Sequence, residues 1–305
     1  MAFLNALGGV ASLLIVVALG FILSRSGWFP PPCKKLIPRL VTNVALPPFL
    51  ATTIMTRITR DQLAKLLFGA LLPMASMIIL FVLAYVYAKI TRVPRTRTGV
   101  FCVCVSNPNT IFIGIPVNLA LFGPDSIPFV LVYYFASTTF FWTVGNYFIS
   151  RDSSDQTLSL HWQNIVSPPI VGFIFGLCSI LLNLSWPPFI ITSATMIGEL
   201  TTPLALLYVG SILADAGKFR IGRDLVGATL GRLAVSPCLL YLLSQLFDLS
   251  KFARDVFVVQ SALPVILQVA ILSGYYNADA EFGSEMVAAT TICSAATIPL
   301  LMLFL

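Results

Sequence analysis

Residues 106–116 read SNPNTIFIGIP and place four polar side chains around Pro108, in the middle of an apolar stretch. That stretch, residues 99–121, has the length of one transmembrane helix, which takes about 20 mainly apolar residues. Proline donates no N–H and its ring displaces the carbonyl four residues earlier, so a helix opens at this point. Open backbone groups are tolerated in a membrane only where protein or a water-filled cavity satisfies them. The stretch therefore predicts a broken transmembrane helix beside a polar site.

The whole chain has the composition of an integral membrane protein. Of its 305 residues, 58% are hydrophobic and 10% are charged, whereas an average soluble domain has about 25% charged residues. Ten apolar stretches have the length of a spanning helix: 4–24, 36–55, 66–90, 99–121, 126–149, 165–184, 188–214, 221–246, 254–276 and 283–305. The sequence thus predicts an all-α membrane protein with ten transmembrane helices.

Lysine and arginine residues in the short loops predict the orientation, because cytoplasmic loops carry an excess of them. Alternate loops, beginning with the first, carry eleven: Arg25, Lys34, Lys35, Lys89, Arg92, Arg95, Arg97, Arg151, Lys218, Arg220 and Arg223. The other loops carry five: Arg57, Arg60, Lys65, Lys251 and Arg254. We therefore expect a multi-pass protein of the cell membrane, inner or plasma, with both termini outside. The net charge of +6 follows mostly from this asymmetry, and no nucleic-acid partner is expected.

The positions of the prolines predict an internal repeat. Pro203 follows Pro47 by 156 positions, and Pro264 follows Pro108 by the same 156. Applied to whole spans, this offset lays spans one to five over spans six to ten. Because five is an odd number, the second repeat must enter the membrane inverted. Inverted repeats with interrupted helices are typical of secondary transporters.

The repeat also predicts the domain boundaries. We expect a first five-helix repeat at residues 1–150, a short cytoplasmic linker at 151–164, and the inverted repeat at 165–305. Spans four and nine, each broken at its proline, are expected to cross near the middle of the membrane.

The breaks define candidate substrate-binding residues. After each break a half-helix begins with free N–H groups and about half a positive charge. Two such starts from inverted repeats are expected to converge and to favour an anion between them. Prolines that merely kink packed helices are the alternative interpretation. The candidate residues are Asn107, Pro108, Asn109, Thr110, Ser261, Pro264 and Gln268.

Spans two and seven carry a second set of polar residues. Glu199 is the only acidic residue well within a span, a placement that costs at least about 2.5 kcal/mol. It lies four residues before Pro203, as Asn43 lies four before Pro47. Three interpretations stay open: a site for a coupling proton or sodium ion, an ion pair of Glu199 with Arg232, which lies at similar depth in span eight, and neither role. The candidate coupling or support residues are Asn43, Pro47, Glu199, Thr202, Pro203 and Arg232.

Two motifs resemble those of the auxin efflux carrier family. PNTIFIGIPVNLALFG, at 108–123, is similar to the family's fourth-helix signature of P-N-T followed by G-I-P and a later glycine. SALPVILQVAILSGYYN, at 261–277, is similar to its ninth helix. The resemblance covers essentially the whole chain and implies ten spans, outside termini and crossing helices four and nine. It also implies transport of organic anions, auxin in plants and carboxylates such as malonate in bacteria.

By the same resemblance, Asn107, Pro108, Asn109 and Pro264 lie at the crossover and substrate site. The loop at about 150–164 lacks the long hydrophilic insert of many plant members, which favours a short, bacterial type of protein.

We therefore expect a secondary transporter of small organic anions that works by alternating access in a lipid bilayer. An anion channel and a non-transporting receptor of the same fold are the alternatives, and a homodimer remains open. The sequence offers no nucleophile with a base and no set of metal ligands, so neither an enzyme, a metal site nor a cofactor is expected. The six cysteines lie mostly within spans and are interpreted as packing residues.

Overall fold

The computed structural model describes residues 2–57, 59, 68–152, 168–215 and 220–305, and helices dominate this part of the chain. The predicted linker, 151–164, lies outside the described residues from position 153 onward. The first-half helices are α1 Ala2–Arg25, α2 Pro31–Leu40, α3 Leu46–Arg57, α4 Leu71–Ile90, α5 Arg95–Ser106, α6 Gly114–Phe122, α7 Ile127–Phe140 and α8 Asn146–Arg151. The second-half helices are α9 Pro168–Leu181, α10 Pro188–Glu199, α11 Thr201–Asp215, α12 Arg223–Leu230, α13 Ser236–Ser244, α14 Lys251–Ser261, α15 Gln268–Tyr275 and α16 Ala280–Leu301.

Several helical stretches have the length and composition of membrane spans. Within the described residues, five of them qualify: Leu71–Ile90, Pro124–Arg151, Pro188–Ala214, Arg223–Ser244 and Ala280–Leu301. Shorter apolar helices occupy Ala11–Arg25 and Pro168–Leu181. The prediction of an all-helical, multi-pass membrane protein is confirmed at this level.

Wide π-helical turns join pairs of helices into longer rods. They lie at Val41–Ala45 between α2 and α3, at Phe141–Gly145 between α7 and α8, and at Gly231–Val235 between α12 and α13. Two of these turns lie just before prolines, Pro47 and Pro237. Because proline lacks an N–H and crowds the preceding turn, widening that turn lets the helix continue past it.

Polar contacts at the helix ends show which helices run side by side. Arg97, in the first turn of α5, binds Asp224 at the start of α12 (3.0 Å) and Asp279 at the start of α16 (2.8 Å). At the far end of α16, the Nζ of Lys251 donates to the carbonyl of Leu305 (2.8 Å). Since Lys251 begins α14, this helix starts at the end of the molecule where α16 finishes. Helices α5 and α14 therefore run in opposite directions and end facing each other inside the protein.

Close backbone contacts hold together helices from the two halves of the sequence. Helix α1 packs against α11, and α3 packs against α9. A Cβ atom added to Gly172 in α9 would lie 2.3 Å from the carbonyl oxygen of Pro47. Small residues at such positions let membrane helices approach closely, so Gly172 is required by the α3–α9 contact.

We expect Gly172→Ala to destabilise the protein by about 1–3 kcal/mol, because the new methyl group meets backbone that has no rotamer with which to yield. The measurement is the midpoint of thermal unfolding in detergent. Gly274→Ala is the matched control, since a Cβ there meets its nearest neighbour at 3.8 Å, an ordinary contact. Equal midpoints for the two variants would contradict the assigned role.

Candidate functional site

The two interrupted helices meet through their non-helical segments. Helix α5 ends at Ser106 and α6 begins at Gly114, whereas α14 ends at Ser261 and α15 begins at Gln268. Between these ends, the N–H of Asn109 donates to the carbonyl of Pro264 (2.8 Å) and the N–H of Ile266 donates to the carbonyl of Asn107 (3.1 Å). The two segments thus form a short antiparallel bridge, which satisfies backbone groups that neither helix satisfies.

The two hydrogen bonds of this crossing are related by a local twofold symmetry. Ile266 follows Asn109 by 157 positions, and Pro264 follows Asn107 by 157, so either bond becomes the other when residues at that spacing are exchanged. The prolines themselves are 156 positions apart. Pro108 therefore lies opposite Val265 rather than opposite its partner in the repeat.

Asn107 is held completely by the protein. Its Nδ2 donates to the carbonyl of Ser137 in α7 (3.1 Å), and its Oδ1 accepts from the hydroxyl of Ser106 (3.1 Å). Its carbonyl belongs to the crossing, and the side chain is fully buried. The Nδ2 also contacts the Ser137 hydroxyl (3.4 Å) and the Met77 sulfur (4.0 Å). These contacts fix the crossing to α7, so this residue positions the segment.

Asn109 has a different pattern of contacts. Its Oδ1 accepts from the N–H of Phe112 (3.1 Å), and its carbonyl accepts from the N–H of Gly114 (3.0 Å). Asn109 therefore orders the turn that leads into α6, and its backbone carbonyl takes up the N–H of Gly114, the first residue of that helix. Its Nδ2 is buried and has no hydrogen-bond partner in the described structure. This amide nitrogen is therefore a donor that is available beside the start of α6.

Gln260 lies beside the same helix start and was missed in the sequence analysis. Its side chain is fully buried, and both Oε1 and Nε2 lack a hydrogen-bond partner in the part of the chain that the structure describes. A Cβ added to Gly114 would lie 2.8 Å from the Gln260 Oε1. A sequence signal existed: Gln260 lies four residues before Pro264, as Glu199 lies before Pro203.

The remaining candidates around the crossing have mixed roles. The carbonyl of Pro264 is part of the bridge, and the hydroxyl of Ser261 donates to its own helix at Val258 (2.7 Å). Thr110 is buried, with its N–H bonded to the carbonyl of Pro108 (3.1 Å). Gln268 is half-buried as the first residue of α15. These seven residues lie in or next to the two non-helical segments, and buried amide nitrogens without a partner are found at Asn109 and Gln260.

Arg232 lies on the other side of the crossing, at the C-terminal ends of the first half-helices. Its Nη1 donates to the carbonyl of Val105 (2.9 Å), near the end of α5. Its Nη2 donates to the carbonyl of Ser261, at the end of α14, and to the hydroxyl of Ser236. The side chain is fully buried. One guanidinium group thus joins the ends of both interrupted helices.

The second polar set lies where the regular α-helix of spans two and seven is interrupted. Asn43 is in the π-helical turn before Pro47, and Glu199 ends α10 just before α11 begins at Thr201. Asn43 and Glu199 are both exposed on this chain, and Pro47 is half-buried. Thr202 is half-buried and Pro203 exposed. Glu199 is not among the hydrogen-bond partners of Arg232 described above, so the structure does not bring these two side chains together as an ion pair.

The described part of the chain is largely apolar and helical, and two pairs of its helices are joined by non-helical segments that bond to each other. The model of the membrane transport protein family matches residues 6–161 of this chain and matches again at residues 153–302. The chain therefore belongs to this family, and the resemblance to auxin efflux carriers is confirmed.

Two relatives are similar along nearly their whole length. An uncharacterized transporter of Methanocaldococcus jannaschii is 24% identical over 296 residues, covering 95% of this chain and 96% of the relative. An uncharacterized transporter of Methanothermobacter thermautotrophicus is 26% identical over 310 residues, covering 98% of each. Both relatives are archaeal, whereas the short loop at about 150–164 predicts a bacterial type of protein.

Proposed function

We propose that this protein is a secondary transporter of small organic anions that binds its substrate at the crossing and works by alternating access. In this proposal the helical rods make ten membrane crossings, arranged as two inverted repeats at 1–150 and 165–305. The interrupted fourth and ninth spans cross near the middle of the membrane. Both termini lie outside the cell membrane, as the distribution of lysine and arginine predicts.

The observation that carries the proposal is the pair of buried amide groups at Asn109 and Gln260. A buried polar group without a hydrogen bond costs about 1–3 kcal/mol, and such groups are uncommon in folded proteins. Two of them beside one helix start, at Gly114, indicate a place where a ligand or water supplies the partner. The Nδ2 of Asn109 and the Nε2 of Gln260 are donors, which suit a carboxylate, and the Oε1 of Gln260 is an acceptor that suits a water molecule or a hydroxyl group of the ligand.

The backbone favours the same class of ligand. Helices α6 and α15 both begin at the crossing, and each start carries about half a positive charge. The Nδ2 of Asn109 lies in the turn that leads into α6 and adds a hydrogen-bond donor beside that helix start. An anion gains from both helix starts, whereas an uncharged molecule of the same shape gains only its hydrogen bonds.

The packing suggests which parts move. Helices α1–α3 pack mainly with α9–α11, whereas α4, α5, α7 and α8 pack mainly with one another and with α12–α16. Helix α6, which begins at the crossing, lies between the two groups and packs most closely against α1. Rocking or elevator-like movement of this second group against the first would expose the crossing to one side of the membrane at a time. Coupling to a proton or a sodium ion at Glu199 is part of the proposal.

The test compares acids with their uncharged amides on the purified protein. We expect indole-3-acetate or malonate to bind at least about tenfold more tightly than indole-3-acetamide or malonamide, because the amides lose the interaction with the helix starts. Binding is measured by thermal shift in detergent, and exchange of the labelled acid is measured in liposomes. Equal affinity for acid and amide would refute the anion site.

The liposome measurement also separates the alternative functions. A transporter shows saturable exchange that is accelerated by the same acid on the opposite side. A current that grows linearly with voltage and does not saturate would identify an anion channel. Binding of an acid without any exchange would identify a receptor.

A further inference from the structure

Arg232 is a buried cation whose hydrogen bonds go to oxygen atoms of uncharged groups. Among the described residues, it takes part in no ion pair with a carboxylate. Its Nη1 and Nη2 donate to the carbonyls of Val105 and Ser261 and to the hydroxyl of Ser236, and its buried Nε has no partner there. The hydroxyl of Ser236 also donates to the Ser261 carbonyl (2.9 Å), which fixes the position of the guanidinium group. Burial of a charge without an opposite charge is costly, so this placement calls for a reason.

The four helix ends at the crossing supply an electrostatic reason. Each helix start carries about half a positive charge and each helix end about half a negative charge. The ends of α5 and α14 meet Arg232, and the starts of α6 and α15 lie at the same crossing. Without Arg232, these four partial charges sum to about zero. With Arg232 the crossing carries about one positive charge in excess.

We propose that Arg232 is the positioning residue that makes the crossing selective for anions. Its charge offsets the two helix ends, so the positive starts of α6 and α15 remain for a carboxylate. Its two nitrogen atoms also hold the ends of α5 and α14 at a fixed separation, because Nη1 binds one helix and Nη2 the other. The inference rests on the proposed anion site and adds the residue that gives this site its positive charge.

The planar guanidinium group combines a charge with a fork of donors, and substitutions separate these two properties. Arg232→Gln keeps a donor and removes the charge. Arg232→Lys keeps the charge and removes the fork. A residue that only satisfies carbonyl groups would, when replaced, change the affinities for acid and amide alike. A residue that sets the charge of the crossing would change the affinity for the acid alone, and only when the charge is lost.

The experiment measures the ratio of affinities for indole-3-acetate and indole-3-acetamide in folded, purified variants. We expect Arg232→Gln to lower the affinity for the acid by roughly tenfold or more, with little change for the amide, so that the ratio falls towards one. Arg232→Lys should keep the ratio within about threefold of the wild-type value. Arg254→Gln is the control, because it removes the same charge from the first turn of α14, where Arg254 lies beside Asp255 (3.4 Å).

Loss of folding cannot imitate the expected result, because it lowers the affinities for acid and amide together. A folded Arg232→Gln protein with an unchanged ratio would overturn the inference, as would a folded Arg232→Lys protein whose ratio falls to one. If Arg232→Gln does not fold, the lysine variant alone decides. The proposed function fails in a different way, since the wild-type protein would then bind acid and amide equally.

Discussion

Replacing Asn109 by alanine together with Gln260 by leucine is expected to lower the affinity for a carboxylate by on the order of a hundredfold and to abolish its exchange in liposomes. Both side chains are buried beside the start of α6, and each has an amide nitrogen without a partner. A hydrogen bond to a charged group contributes about 1.5–3 kcal/mol, so the loss of two gives an effect of this size.

The stability of the double variant should change little. Leucine fills the volume of Gln260 and removes two polar atoms that lack partners, which is close to neutral or favourable. Asn109→Ala loses the cap on the N–H of Phe112, which costs about 1 kcal/mol. The measurements are the binding affinity for malonate or indole-3-acetate and the midpoint of thermal unfolding.

Asn107→Ala is the matched control, two residues earlier in the same segment. Its amide is bonded to Ser137 and Ser106, so its loss should destabilise the protein by about 1–3 kcal/mol while the folded protein still binds the acid. The opposite result, with binding lost in folded Asn107→Ala and kept in the double variant, would place the substrate elsewhere.

The contrast between the two asparagines shows what the sequence could predict about the site. The motif SNPNT placed both residues at a helix break, because proline disrupts a helix wherever it occurs inside one. Which amide is engaged depends on neighbours from distant parts of the chain: Ser137 in α7 lies thirty residues beyond Asn107. Local sequence does not contain this information, and for the same reason Gln260 was missed beside Gly114.

The register of the crossing is a second example. The prolines gave an offset of 156 positions, and the hydrogen bonds of the bridge follow an offset of 157. A proline marks the position where a helix is weakened. The register in which two segments pair depends on the contacts that each segment makes with the surrounding helices. The helices themselves could be predicted from the length of the apolar stretches, because that length is a property of the local sequence.

Arg232 shows the limit of reasoning from depth in the membrane. The sequence placed it at a depth similar to that of Glu199, which made an ion pair one of two interpretations. The depth of a residue in the membrane does not tell to which side of its helix the side chain points. The packing shows that Arg232 is buried at the crossing, whereas Glu199 is exposed. The two residues therefore have separate roles, and each can be tested alone.

Glu199→Gln is expected to abolish accumulation of substrate driven by a pH gradient and to leave substrate binding and exchange largely intact. A carboxylate inside a span costs at least about 2.5 kcal/mol and is a candidate for function by default. Glutamine keeps the shape of the side chain and removes its titration. Since Arg232 is held by carbonyl groups instead, the substitution leaves no buried arginine without its partners, and the protein should stay folded.

The measurement is uptake of labelled substrate into liposomes under an imposed pH gradient, compared with exchange at equal pH on both sides. Glu281→Gln is the control, because it removes an exposed carboxylate whose surface ion pair with Arg220 (3.3 Å) contributes at most about 1 kcal/mol. Repeating the uptake with a sodium gradient shows which cation is coupled. Unchanged accumulation in a folded Glu199→Gln protein would exclude this carboxylate from coupling. The neutral groups at Asn43 and Thr202, which lie at the corresponding deformations of spans two and seven, would then be the next candidates for a cation site.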